Sequence, residues 1–136
     1  LHRLKVERIM RRGPPVASAG QPLDAFCREF PLSGAPVVVL RGEAGRYAGL
    51  VVVSNAHANL GSKAPVDLTS LAVARDHWLQ PTSTLGEAVR LFAAAETDAL
   101  AVVDARTGAI LGLLSENQAL RRYSEELYRQ ERERWG

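Results

Sequence analysis

Few side chains in this sequence are spaced for chemistry. The most suggestive group is the run Ser115-Glu116-Asn117-Gln118. It lies where an apolar stretch, GAILGLL (108–114), turns abruptly into a polar, helical pattern. A helix start carries unpaired backbone N–H groups and the positive end of the helix dipole, so such a junction can receive an anion such as phosphate. The same residues also fit a structural role. Ser115 and Gln118 match the S/T-x-x-E/Q capping box, in which the two ends of the first helical turn satisfy each other. The two roles are compatible, and the sequence leaves both open.

The other polar candidates point to ordinary roles. His57 and His77 have no Cys, Asp or Glu at a spacing typical of zinc, and His2 is expected to be solvated, so no metal ligand is assigned. Cys27 is the single cysteine and lies beside Phe26 and near Phe30, as a buried thiol would. No intrachain disulfide can form, which suits a reducing compartment. His77-Trp78 is expected to supply a packed aromatic rather than a stacking platform. Asp98 and Asp104 flank a β-rich run, as turn residues do. No Ser/His/Asp set and no paired carboxylates stand out, so no catalytic residue is assigned and a non-enzymatic reading leads.

The elements that position the junction follow from size and patterning. A chain of 136 residues can bury roughly two-thirds of its unfolded surface. Its 46% apolar and 24% charged content is that of a soluble globular domain. No apolar run approaches the ~20 residues needed to span a bilayer, and no secretory signal is visible. The first residue is Leu1 rather than Met, as expected either of a module cut from a longer chain or of a processed one. The net charge is only +2, yet Arg3, Lys5, Arg8, Arg11 and Arg12 crowd the start against the lone Glu7. Such a start suits either the cytoplasmic flank of a membrane helix or a solubilising terminus. Nucleic-acid binding is not expected, because basic and aromatic residues are not interleaved and no zinc-finger spacing occurs.

One pattern occurs twice. LDAFCREF (23–30), APVVVL (35–40) and YAGLVVVSNAHANL (47–60) are followed by LGEAVRLF (85–92), ALAVVD (99–104) and ILGLLSENQAL (110–120). Gly49 and Gly112 are 63 residues apart, as are Asn55 and Gln118. Each copy reads as helix, strand, turn, strand, helix. In the second copy, Thr84-Leu-Gly-Glu87 is a capping box, followed by an apolar stripe of Leu85, Val89 and Phe92 with Ala88 beside it. In the first, Pro22 fits the first helical position, and Leu23, Phe26 and Phe30 form the stripe. Val37–Leu40 and Tyr47–Val53 are strands, and a short helix begins near Asn55. A single copy buries too little surface alone, so the two must share one core. A doubly wound dinucleotide fold is disfavoured, because no G-x-G-x-x-G opens a first strand–helix turn.

Together, VERIM (6–10), the capped helix before ALAVVD and GAILGLLSENQAL resemble a tandem pair of CBS domains, a Bateman module. The resemblance implies an α/β (α+β) fold of two pseudo-symmetric β-α-β-β-α units packed together. The expected organisation is a basic leader at 1–14, repeats at 15–62 and 77–122, a linker at 63–76 and a charged helical extension at 123–136. Family members place a Thr or Ser and, three residues later, an Asp at the end of the second strand. Those groups commonly contact the ribose or phosphate of an adenine nucleotide. The matching positions here are Val52 and Asn55 in the first copy and Ser115 and Gln118 in the second, with Pro36 and Ala99 as the base-side wall. Neither copy keeps the Asp. A carboxylate makes charge-assisted bonds to a ribose diol, which an amide cannot. ATP, ADP or AMP are therefore candidate ligands with weak or absent binding, and no cofactor is required. The second copy, with Ser115, ranks first.

The tail, LSENQALRRYSEELYRQERERW, resembles the end of bacterial chloride channels and H+/Cl− antiporters that carry a cytosolic CBS pair. It reads as one helix from Glu116 to Arg134, with Arg121–Glu125 and Glu125–Arg129 pairs at i,i+4. Leu120, Tyr123 and Leu127 form a narrow stripe with Trp135 beyond. A homodimer through the second-copy face would cover it. These resemblances imply a non-catalytic regulatory module on the cytoplasmic side of a channel or exchanger, partnered by the membrane domain of the same polypeptide. The alternatives are a nucleotide-sensing CBS pair on a soluble enzyme or another transporter, and a standalone small α/β enzyme.

Overall fold

The computed structural model describes residues 3–135; Leu1, His2 and Gly136, and with them the reading of His2, lie outside the described residues. The first unit comprises β2 (Val16–Ser18), α1 (Leu23–Glu29), β3 (Val37–Arg41), β4 (Tyr47–Val52) and α2 (Val53–Ala58). The second comprises α3 (Leu85–Ala95), β5 (Ala99–Val103), β6 (Ile110–Ser115) and α4 (Glu116–Trp135), with Leu79 bridged in parallel to Val102 where the first unit has β2. Before β2 come a 3₁₀ turn at Val6–Arg8 and the two-residue strand β1 (Arg11–Arg12).

Strand alternation divides the core into three layers. On β3, Val38 and Leu40 face the first unit's helices with Phe26, Val51 and Leu68, while Val39 faces the other way. On β5, Leu100 and Val102 face α3 and α4 with Leu85, Phe92 and Leu114. Val39 and Leu50 then meet Ala99, Ala101 and Val103 between the two sheets. A period of two is what lets one strand serve a helix layer and a sheet layer at once. Each fully buried Phe or Leu contributes about 1.5–3 kcal/mol.

The sheets are interleaved. β6 pairs with β5 on one side and with β1, from the far end of the chain, on the other, in the register Arg11↔Leu113 and Arg12↔Gly112. The first unit repeats this: β4 pairs with β3, and Leu50 bridges Val73 in the segment that precedes the second unit. Val6, Ile9 and Met10 are buried in the second unit's core, and Leu68 in the first unit's. The basic start of the chain is thus apolar on one face and packed, with its charges left outside.

This crossing explains the glycines 63 residues apart. A Cβ on Gly112 would lie 2.6 Å from Met10 Sδ and 2.9 Å from the Arg11 carbonyl oxygen. A Cβ on Gly49 would lie 3.0 Å from Ala72 Cβ and 3.1 Å from the Val73 oxygen, and Gly49 has φ +110° besides. Each glycine lets the other unit's leading segment lie directly against the strand.

Several local expectations shift. Pro22 is the N-cap of α1 (φ −61°, ψ 147°) rather than its first helical residue. α2 begins at Val53, before Asn55, because β4 ends at Val52 and the Val53 N–H is taken by the Pro36 carbonyl. In α3 the deep positions are Leu85, Ala88 and Phe92, with Val89 only half-buried. In α4 the buried residue is Ala119; Tyr123 packs on the second core, while Leu120 and Leu127 stay exposed. The α4 ion pairs that form are Arg122–Glu125 (3.5 Å) and Arg129–Glu126 (2.9 Å), at i,i+3. The shorter spacing brings these side chains together where the i,i+4 pairs read from the sequence do not meet.

Three polar details fix the frame. The Thr84 capping box forms in full: Glu87 N–H donates to Thr84 Oγ1 (3.2 Å) and Thr84 N–H to Glu87 Oε1 (3.1 Å). Those bonds from Thr84 hold the Glu87 carboxyl below the usual range. Half-buried His57 of α2 donates from Nε2 to the Phe30 carbonyl at 2.7 Å, closing the end of α1. Tyr47 O–H donates to the Ala74 carbonyl at 2.6 Å, and its ring meets Trp78 edge-on at 6.2 Å. Burial pushes the Tyr47 phenol upward and, with Asp24 nearby, also raises the Cys27 thiol.

Candidate functional site

The junction at Ser115 opens onto a cleft of about 810 Å³ between the units. One wall is apolar: Pro36, Val37 and Val52 from the first unit, Leu113 from the second. The opposite lip is polar, built by the α3–β5 turn (Glu96, Thr97, Asp98) and the first turn of α4 (Ser115 to Gln118). Two features hold that lip. β5 and β6 pair up to Ala99↔Ser115, and the Glu116 N–H then donates to the Asp98 carbonyl at 2.8 Å. Thr97 Oγ1 donates to the Ala99 carbonyl at 3.0 Å. The first unit has the same closure, Val53 N–H to the Pro36 carbonyl at 2.9 Å.

Five of the six residues read as ligand contacts, Ser115, Gln118, Ala99, Pro36 and Val52, line this one cleft. Asn55 does not; it is exposed on α2, and its carbonyl accepts from Asn59 Nδ2 at 2.8 Å. Ser115 does cap α4, accepting the Gln118 N–H at 3.2 Å. The reciprocal half of that capping box is not made. Gln118 Nε2 reaches instead across the chain to the Ile9 carbonyl, at 2.8 Å. The residue standing where the family has Asp thus ties the leading segment to α4. A carboxylate cannot donate, so this tie requires the amide.

The sequence reading missed Arg11, Glu96, Thr97 and Asp98. Thr97 and Asp98 were within reach, since they directly precede Ala99, and Asp98 occupies the place in the second unit that Pro36 holds in the first. Arg11 became visible only once β1 was placed against β6.

Chemically, the cleft offers a flat apolar wall and hydroxyl, amide and carboxylate groups at its mouth. That suits holding a planar, polar-edged molecule. Among the described residues, no group of three or more His, Cys, Asp or Glu is placed to hold a metal ion. No helix among them is long and apolar enough to cross a membrane.

Residues 71–125 match the family model described as the CBS domain. No curated protein matches the chain by sequence. Solved structures are similar throughout. The CBS domain pair of protein MJ0100, in complex with 5′-methylthioadenosine and S-adenosyl-L-methionine, aligns with TM-score 0.74 at 11% identity, covering 92% of this chain and 99% of that one. CBSX2 in complex with AMP gives 0.71 at 16% identity, covering 89% and 96%. The cystathionine β-synthase pair domain of the candidate Mg2+ transporter SO5017 from Shewanella oneidensis MR-1 gives 0.67 at 20%, covering 90% and 71%. The matched segment spans the second unit, and the first repeats its architecture through the same glycine, strand order and closing bond: the chain has the fold of a tandem CBS-domain pair.

Proposed function

We propose that this chain is a non-catalytic regulatory module whose cleft holds adenosine-type ligands weakly. The observation that carries the weakness is the engagement of Gln118 with Ile9. With Gln118 in place of Asp and Asn55 outside the cleft, neither copy presents a carboxylate at the position that grips ribose in the family. Support for the ligand class is the adenosyl compounds named with MJ0100 and the AMP named with CBSX2. Calorimetry against AMP, ADP and ATP tests the reading. No dissociation constant below about 100 μM is expected; a low-micromolar, Ser115-dependent affinity would refute it.

The finer reading places the module on the cytoplasmic side of a chloride channel or H+/Cl− exchanger, working as a dimer. It rests on the resemblance of the tail and the basic start, and a transporter context occurs in the SO5017 relative. The exposed Leu120, Leu127, Tyr128 and Trp135 along α4 favour self-association. Light scattering should show a dimer, and monomer alone at high concentration would count against it. Chloride-channel helices encoded upstream in the same reading frame are the expected host signature; an enzyme or an unrelated transporter there would reassign the module.

A further inference from the structure

The charge around the cleft decides which adenosine compound suits it, and this step rests on the adenosine-site reading above. We propose that the cleft selects a nucleoside whose 5′ substituent carries no negative charge, and discriminates against nucleoside phosphates. Glu96, Asp98 and Glu116 line the cleft, and among its lining residues Arg11 is the lone cation. The fixed charge there is net negative.

The first turn of α4 would ordinarily offset this, since a helix N-terminus favours anions. Here two of its donors are already engaged, leaving the Asn117 N–H to face the cleft. The Glu116 N–H serves the Asp98 carbonyl and the Gln118 N–H serves Ser115 Oγ. Glu116 also sits in that first turn and supplies the negative charge the dipole favours. A phosphate entering beside Ser115 finds three carboxylates and a helix start with two of its donors committed. A base and ribose against Pro36, Val37, Val52 and Leu113 are untouched by either.

The carboxylates stand at a wet mouth, so each like-charge pair is screened and weakens affinity by about two- to fivefold at low salt. Summed over the phosphates of ATP, the expected preference for adenosine over ATP is about tenfold or more. NMR titration of the whole chain with adenosine, AMP and ATP reads both affinity and location. The expected order is adenosine, then AMP, then ATP, with shifts at Ser115 and Ala99. The spread should collapse near 1 M salt, where the screening length is about 3 Å. Joint replacement Glu96→Gln, Asp98→Asn and Glu116→Gln should move the adenosine-to-ATP ratio about tenfold toward ATP. The salt series on the unaltered chain gives the same answer without depending on that variant's folding. ATP binding as tightly as adenosine at low salt, at the same residues, overturns the selectivity and leaves the adenosine site standing. No shifts with any of the three removes the adenosine-site reading and the selectivity together.

Discussion

Gly112→Ala tests the claim that the leading segment lies against β6 with no room to spare. The new Cβ would sit 2.6 Å from Met10 Sδ and 2.9 Å from both Met10 Cγ and the Arg11 oxygen. Ordinary non-bonded contact is about 3.5–4.0 Å, so the segment must retreat by roughly 1 Å. It has two ways to do so. Releasing Val6, Ile9 and Met10 from the second core would forfeit about 1.5–3 kcal/mol for each, roughly 5 kcal/mol or more in all. Absorbing the methyl by a local shift costs about 1–3 kcal/mol. The cheaper response wins, so the segment stays docked under strain. Alanine recovers about 0.5–1 kcal/mol of backbone entropy, leaving a net loss of about 1–2 kcal/mol. Urea denaturation followed by far-UV circular dichroism measures this, with hydrogen exchange at Arg11 and Arg12 reporting the local shift. Gly20→Ala is the control: nothing lies within 4 Å of its added Cβ, and its change should stay within about 0.5 kcal/mol. Equal urea midpoints for Gly112→Ala and Gly20→Ala would refute the close approach.

Three further outcomes are expected. Gln118→Asp removes the amide donor to Ile9 and should cost about 1 kcal/mol, while tightening adenosine binding in the same NMR titration. His57→Ala leaves the Phe30 carbonyl without its 2.7 Å donor and should lower stability by about 1 kcal/mol, read as a fall in the thermal midpoint. The folded pKa of Glu87 lies below its unfolded value of 4.5, so its contribution is complete only above that unfolded value and is lost as pH falls through the folded one. Glu87→Gln should therefore flatten the acid limb of a stability-versus-pH curve.

The parts of the fold that were legible in sequence are those written locally. Thr84 and Glu87 announce their cap within four residues, and Ser115 announces the start of α4 in the same way. VVVL and ALAVV read as strands because β-branched runs do. The repeat at 63 residues then fixed the architecture, since a pattern that recurs must pack against itself. Long-range pairing was not legible. Nothing in VERIM says that its apolar face belongs to a sheet a hundred residues away, and Gln118 gives no sign of its bond to Ile9. Val53 shows a smaller version of the same limit. A β-branched residue looks like strand, and only the bond to Pro36 marks where β4 stops. The candidate site was found through paired positions in the repeat, whereas Arg11 belonged to neither motif.

The exchange of leading segments also sets what counts as one unit of this protein. Each sheet is completed by a stretch of chain that precedes the other repeat. A fragment ending before residue 63 would carry β1 with no β6 to lie on, and would leave β4 bare along the edge that faces Val73. Open edges of that kind recruit another strand. Two such fragments, each lending its leading segment to the other's sheet, would rebuild the closed arrangement from two chains. The covalent link between the repeats therefore acts as a tether that keeps this exchange within one molecule. The two halves are therefore expected to melt as a single cooperative body, although the sequence reads as two.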